Sequence, residues 1–212
     1  MPKNAPVSMV LPDALGGNRL EGNRAITKWA RRYPELDFDK DNWIQGRIRT
    51  SLESSGCLDL EDLKRLGVWK NGSERSSSLF KRNTPAEIKR RTGEAYESHS
   101  IEPIMQLAGF RTGFPMASSF MHFAFDNEFP IIDSRALSTL GVPEKTHIGK
   151  RVWTLYCDKC RSWADYYQVS LRELDRALWQ FNVEDSFWKR VRLMETRAAQ
   201  DDRGCGSDVN RA

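Results

Sequence analysis

The chain is patterned for helices almost from end to end. Apolar residues recur every three or four positions, the spacing that lines one face of an α-helix, and no stretch alternates apolar and polar residues as a half-buried strand does. Trp29 falls in a first short helix that stops before Pro34, since proline interrupts helical hydrogen bonding. Trp43, Ile44, Ile48 and Leu52 stripe a second helix. Leu60, Leu63 and Leu66 stripe a third, with Asp59 as its cap and Gly67 beyond its end. Thr84-Pro85-Ala86-Glu87 puts a capping threonine, a first-turn proline and a returning glutamate in register, which predicts a helix start. Val152, Leu155, Tyr156, Trp163 and Tyr167 stripe a later helix. Ser170 and Glu173 open the next with a second capping box, through Leu174, Leu178 and Phe181, and Phe187, Val191 and Met194 mark a last one.

About ten short helices without a repeat of fixed period predict an all-α, compact multi-helix fold. Its central segment reads differently from its flanks, which predicts two helical lobes. Residues 1–20 carry Pro, Gly and Asn with no apolar period and read as a loose arm, and 200–212 read as a frayed tail, leaving 21–199 as the helical domain.

Composition narrows the setting. A chain of 212 residues can bury one sizeable core, and 39% hydrophobic residues with seven Trp and ten Phe mark it as folded rather than disordered. No apolar run approaches the roughly 20 residues of a membrane helix, and Met1-Pro2-Lys3-Asn4 opens no secretory segment. Cys57, Cys157, Cys160 and Cys205 are too scattered for a disulfide framework, so the expected setting is a cytoplasmic monomer. The net charge of +4 is only mildly basic. Arg75, Lys81, Arg82, Lys89, Arg90 and Arg91 cluster, but with Glu74 and Glu87 close by the plain reading is a solvated helix face.

Cys157-x-x-Cys160 lies inside a predicted helix with no second pair, and only His147 and Cys205 are conceivable further ligands. No metal and no cofactor are expected. His122, set among Phe120, Met121 and Phe123, reads as a satisfied core histidine, and His99 carries no stronger signal.

The segment from Ser100 to Ser119 carries the candidate chemistry. Ser100 can cap a helix through Ile101, Ile104, Met105 and Ala108, and Gly109 can end it in a left-handed conformation. Gly113 and Pro115 open a second helix through Ala117, Phe120, Met121, Ala124 and Phe125. Such a turn has glycine at both ends and helix N–H groups pointing outward, which suits a phosphate. An ordinary αα-hairpin explains the same residues. Asp133 follows the apolar stretch Phe129-Pro130-Ile131-Ile132 and precedes a short helix with Ala136, Leu137 and Leu140. By itself it reads as an N-cap.

The stretch Leu107 to Leu140 resembles the helix-hairpin-helix superfamily of base-excision DNA glycosylases. Leu107-Ala108-Gly109-Phe110, Gly113 and Ala117 match its hairpin, and Asp133 falls at the spacing of its catalytic aspartate. The resemblance implies a helical glycosylase fold around a central helix-hairpin-helix and double-stranded DNA as partner. It implies Asp133 as the carboxylate that stabilises an oxocarbenium ion, and Gly109, Phe110, Arg111, Thr112 and Gly113 as the phosphate grip. It further implies a location at the nucleoid and a base pocket between the lobes, for which the Trp43 and Trp69 regions are candidate walls. Two features depart from the family. Arg111-Thr112 lengthen the hairpin, and Pro115 stands where strand-cleaving members carry a Schiff-base lysine, so monofunctional base excision is expected. Two other classes remain open: a helix-hairpin-helix module that binds DNA without chemistry, and a helical interaction protein that binds none.

Overall fold

A computed structural model of the protein describes residues 7–72, 78–110, 113–125 and 128–204. Among these residues there is no strand. Eight α-helices follow in order: α1 (Arg19–Arg31), α2 (Glu35–Ser55), α3 (Leu60–Asn71), α4 (Pro85–Ser98), α5 (Phe114–Ala124), α6 (Ser134–Thr139), α7 (Lys150–Tyr167) and α8 (Leu171–Gly204). Ser78–Arg82 and Ile104–Gln106 form short 3-10 turns. The all-α expectation holds, and no described helix is long and apolar enough to cross a membrane.

Local chemistry starts most of these helices. Asn18 and Glu21 cap α1 reciprocally, Asp59 and Asp62 cap α3, and Thr84 and Glu87 cap α4. Ser170 and Glu173 exchange the same pair of bonds at the start of α8. Each box satisfies amides that a helix otherwise leaves unpaired. Helix α5 runs through the centre, with Met116 to Ala124 all buried. One continuous apolar cluster surrounds it, drawing on Ile44 and Ile48 of α2, Leu63 and Leu66 of α3, Val152 and Tyr156 of α7, and Leu174 and Leu178 of α8. At the crossing of α1 and α7, a Cβ on Gly22 would lie 2.1 Å from Cε1 of Tyr167, so that contact requires glycine.

The structure departs from the sequence reading at five places. The described part of the N-terminal arm is not loose: Met9 and Leu15 are buried, and the Val10 N–H donates to the Leu140 carbonyl at 3.2 Å. Gly67 lies inside α3, and Gly72, left-handed at φ 68°, ends it one turn later. Trp43 is 53% exposed rather than part of the α2 core stripe. The two expected C-terminal helices are one, because nothing between Phe181 and Phe187 breaks the backbone pattern. Phe187, Trp188 and Met194 are exposed on it. This helix also takes in 200–204 of the expected tail; 205–212, with Cys205, lie outside the described residues.

The fifth departure concerns the hairpin. Its first arm is a single 3-10 turn, not an α-helix. Ile101, Ile104, Leu107 and Phe110 are all buried, and a spacing of three is the period at which 3-10 side chains eclipse. Helix α4 has already ended at His99, left-handed at φ 50°, which leaves little chain before Gly109 turns at φ 99°.

Candidate functional site

Asp133 caps α6. Its Oδ1 accepts the Ala136 N–H at 2.8 Å, as an N-cap carboxylate should. The segment before it is held on three sides. The Phe129 carbonyl accepts from His122 Nδ1 at 2.8 Å, the Ile131 carbonyl from the Tyr156 hydroxyl at 3.1 Å, and Ser118 Oγ accepts from the Ile132 N–H at 3.1 Å. Phe129 thus sits opposite His122 and Ile132 opposite Ser118, one turn nearer the start of α5. The chain runs back along α5 and delivers Asp133 toward its N-terminal half.

The second carboxylate oxygen, Oδ2, faces Nζ of Lys70 at 3.7 Å, a charge contact rather than a hydrogen bond. Lys70 comes from the end of α3, and its side chain is only 14% exposed. Both groups line a cavity of about 340 Å3, near the small end of the range of about 300–1,000 Å3 typical of ligand sites. Trp69, Tyr33 and Trp179 supply its aromatic surface, and Arg135 and Arg172 bring further positive charge. Trp179 packs edge-on against Tyr33, with ring centres 5.1 Å apart, and the Arg135 guanidinium lies 4.6 Å over the Trp179 ring. Lys70 faces Asp133, and Arg172 is already paired with Asp175 and with Asp41 behind the cavity, while Arg135 lies over the Trp179 ring.

Behind the cavity lies a buried knot of charge. Asp41 of α2 accepts from the Trp69 indole N–H at 2.8 Å, from Arg172 Nε at 2.7 Å and from an Arg176 guanidinium nitrogen at 2.6 Å. Arg172 also pairs with Asp175. Asp175 Oδ1 is buried and accepts no hydrogen bond from the described residues. Burial pushes the Asp175 carboxyl up to about 6. Arg172 and Lys70 oppose that rise, while the Asp133 and Asp41 charges add to it. The knot fixes the Trp69 ring, and through Arg172 it fixes the wall of the cavity.

The hairpin residues meet a different fate. Gly109, Phe110 and Gly113 do not line the Asp133 cavity. The expectation that Phe110 contacts DNA is corrected: its side chain is fully buried, 5.1 Å from the Phe80 ring, and its N–H donates to the Leu107 carbonyl at 3.1 Å. Gly113 adopts extended backbone as the N-cap of α5, and its N–H donates to the Phe110 carbonyl at 3.0 Å. Gly109 is needed for internal packing, since a Cβ there would lie 2.3 Å from Phe80 Cε1. Arg111 and Thr112 lie outside the described residues, as do Glu74 and Arg75 of the basic cluster and Asp126 and Asn127 after α5. Arg90 and Arg91 both pair with Glu94, which fits a solvated helix face.

Of the two candidate walls, Trp69 lines the cavity with Asp133. Trp43 lines a neighbouring groove of about 670 Å3 that shares Trp69. Lys70, Arg172, Asp175 and Trp179 were not singled out in the sequence, although one signal was there. Arg172, Asp175, Arg176 and Trp179 fall at i, i+3, i+4 and i+7, a polar stripe beside the apolar one of α8. His122 is a core histidine, as expected. Cys157 and Cys160 are free and buried in α7, and no group of metal-binding side chains occurs among the described residues. Comparison of the chain with protein-family models, with curated proteins and with solved structures finds no match.

Proposed function

We propose that the protein is a DNA glycosylase that hydrolyses the N-glycosidic bond of a damaged or modified base at Asp133. The observation that carries this reading is the cavity: a carboxylate at the catalytic spacing of the helix-hairpin-helix glycosylases opens into an aromatic-walled space that Lys70 and Arg135 also line. A base buried in a duplex is out of reach, so the nucleotide flips out before reacting. Trp69 and Trp179 offer faces for the extruded base, and Arg135 offers charge to its phosphates. As the base leaves, the sugar gains oxocarbenium character. An ionised Asp133, held by the Ala136 N–H without side-chain rearrangement, stabilises that charge where it develops. The site holds no resident cofactor or metal in this scheme.

One observation favours the non-catalytic alternative: Asp133 already has two structural duties, as the cap of α6 and as the partner of Lys70. A panel of duplexes, each carrying one modified base, separates the two readings. Alkali after incubation breaks the strand wherever a base has been lost. Cleavage on any member supports the glycosylase. Binding across the panel without base loss leaves a module that holds DNA and does no chemistry.

A further inference from the structure

Beside the Asp133 cavity lies a second, larger groove of about 670 Å3, against about 340 Å3 for the cavity, and Trp69 lines both. We propose that this groove holds an unpaired nucleotide next to the one whose base enters the cavity, so that the preferred substrate is DNA opened on one flank of the reactive position. The proposal rests on the reading of the cavity as a nucleotide site, and it changes the form of DNA expected there from a fully paired duplex to a partly unpaired one.

Trp43 carries the argument. Its neighbour Ile44 is fully buried, yet Trp43 is 53% exposed. Tyr166, Phe187 and Trp188 are about as exposed, but they line neither the cavity nor the groove. Trp43 lines the groove, and the Arg65 guanidinium lies 5.4 Å from the centre of its ring. A cation thus steadies the indole while more than half of the residue stays open to a ligand. Val68, itself exposed, adds apolar surface to the same groove. The Trp69 ring is fixed more firmly, by its N–H bond to Asp41 and by its edge-on contact with Phe123 at 4.7 Å. The groove therefore places an open aromatic ring beside a wall that it shares with the cavity.

Charge narrows the choice of ligand. Among the described residues, Glu61 is the only carboxylate lining the groove. It pairs with Lys64 at 3.4 Å and with Arg65 at 3.2 Å, so one anion answers two cations. Lys81, from the Ser78–Arg82 turn, also lines the groove and pairs with no described carboxylate. An open indole with surplus positive charge around it matches one nucleotide of a single strand, whose base stacks while its phosphate meets the cations. In a paired duplex each base is already covered by its neighbours in the stack, so only an unpaired one has a face free for Trp43. The side chains of an acidic peptide meet the same charge but offer the indole no planar ring.

The test measures binding by the full chain, so no base has to be excised. Three labelled duplexes carry a stable abasic analogue at the reactive position. One is otherwise fully paired, and in the other two the nucleotide on the 5′ or the 3′ side lies opposite a gap. The parent protein should bind one gapped DNA about tenfold more tightly than the paired one, and Trp43→Ala should shrink that preference to about twofold or less. Trp43→Phe keeps a flat face and should retain most of the preference. Both variants should melt as the parent does, because the ring lies at the surface. A parent without the preference, or a preference that survives Trp43→Ala, overturns the assignment. Displacement of the gapped DNA by polyglutamate as readily as by an unlabelled single strand also overturns it, and gives the groove to an acidic peptide. Base release on a modified duplex without the preference removes the groove alone and leaves the glycosylase reading standing. A preference that depends on Trp43, with no base release on any duplex, keeps the groove and removes the glycosylase.

Discussion

Asp133 divides its work between two oxygens, and this makes its roles separable. Asparagine keeps the Oδ1 acceptor for the Ala136 N–H and loses the charge facing Lys70. Asp133→Asn should therefore shift folding stability by no more than about 1 kcal/mol. Base release should fall on the order of a hundred- to a thousandfold, the effect of losing one preorganised electrostatic contact. Single-turnover base release beside thermal melting checks both. A variant as fast as the parent leaves Asp133 only its structural duties, as the cap of α6 and the partner of Lys70. His122 illustrates the opposite case, a titratable group with no catalytic task. Burial lowers its pKa from 6.5 to about 4, and the neutral ring donates from Nδ1 to the Phe129 carbonyl. The unfolded chain binds the proton more readily. The contribution is thus complete above pH 6.5 and is lost as pH falls toward 4, by about 3 kcal/mol in all. Asp175, raised by burial, works in the other direction, its contribution fading as pH rises toward 6. The difference between parent and variant isolates the histidine. Urea unfolding of His122→Asn should lose less stability than the parent between pH 7 and pH 4.5, and parallel pH profiles would show that the ring carries no such linkage.

Elements whose ends are set by neighbours in sequence were legible. The boxes at Thr84/Glu87 and Ser170/Glu173 needed no tertiary information, because cap and partner are three residues apart. The turn before α5 was not legible as drawn. Ile101, Ile104 and Met105 fit a helical period, but burial selected Ile101, Ile104, Leu107 and Phe110, and that spacing belongs to a tighter coil. The same local reading gave Gly109 to a phosphate, when the structure gives it to Phe80, about thirty residues upstream. Gly109→Ala should accordingly destabilise the fold by about 1–3 kcal/mol through overpacking and a strained φ. Part of that cost should disappear in a Phe80→Ala background, as denaturant titrations of the four variants would reveal. Equal costs in the two backgrounds would mean that Phe80 is not what the glycine accommodates. Asp133 could be picked out by its spacing within one segment. Lys70 could not, because α3 and α6 meet only in the folded chain, and the stripe of Arg172, Asp175 and Arg176 on α8 did not say which helices it faces.

At the scale of the whole molecule, two kinds of charge do different jobs. Lys70 and Arg135 reach the cavity, and on the proposed reading DNA binding should weaken steeply with salt, at a log–log slope of roughly −0.9 for each phosphate neutralised. Fluorescence titrations at several salt concentrations measure that slope, and a flat response would favour an interaction protein that binds no nucleic acid. The knot of Asp41, Arg172, Arg176 and Asp175 faces inward and ties α2 to α8, with Trp69 of α3 hydrogen-bonded into it. Removing one member leaves buried charge uncompensated, so Asp41→Asn should cost about 3–5 kcal/mol of stability, read from denaturant unfolding. A loss below about 1 kcal/mol would mean that the knot is hydrated in solution. The same knot gives the molecule a preferred climate. Withdrawing ions from water becomes less costly as temperature rises, because their hydration is entropically unfavourable. A core that closes around two arginines and two carboxylates is therefore penalised most in the cold. Warming relieves the interior that holds the cavity wall in place before it loosens the apolar packing around it.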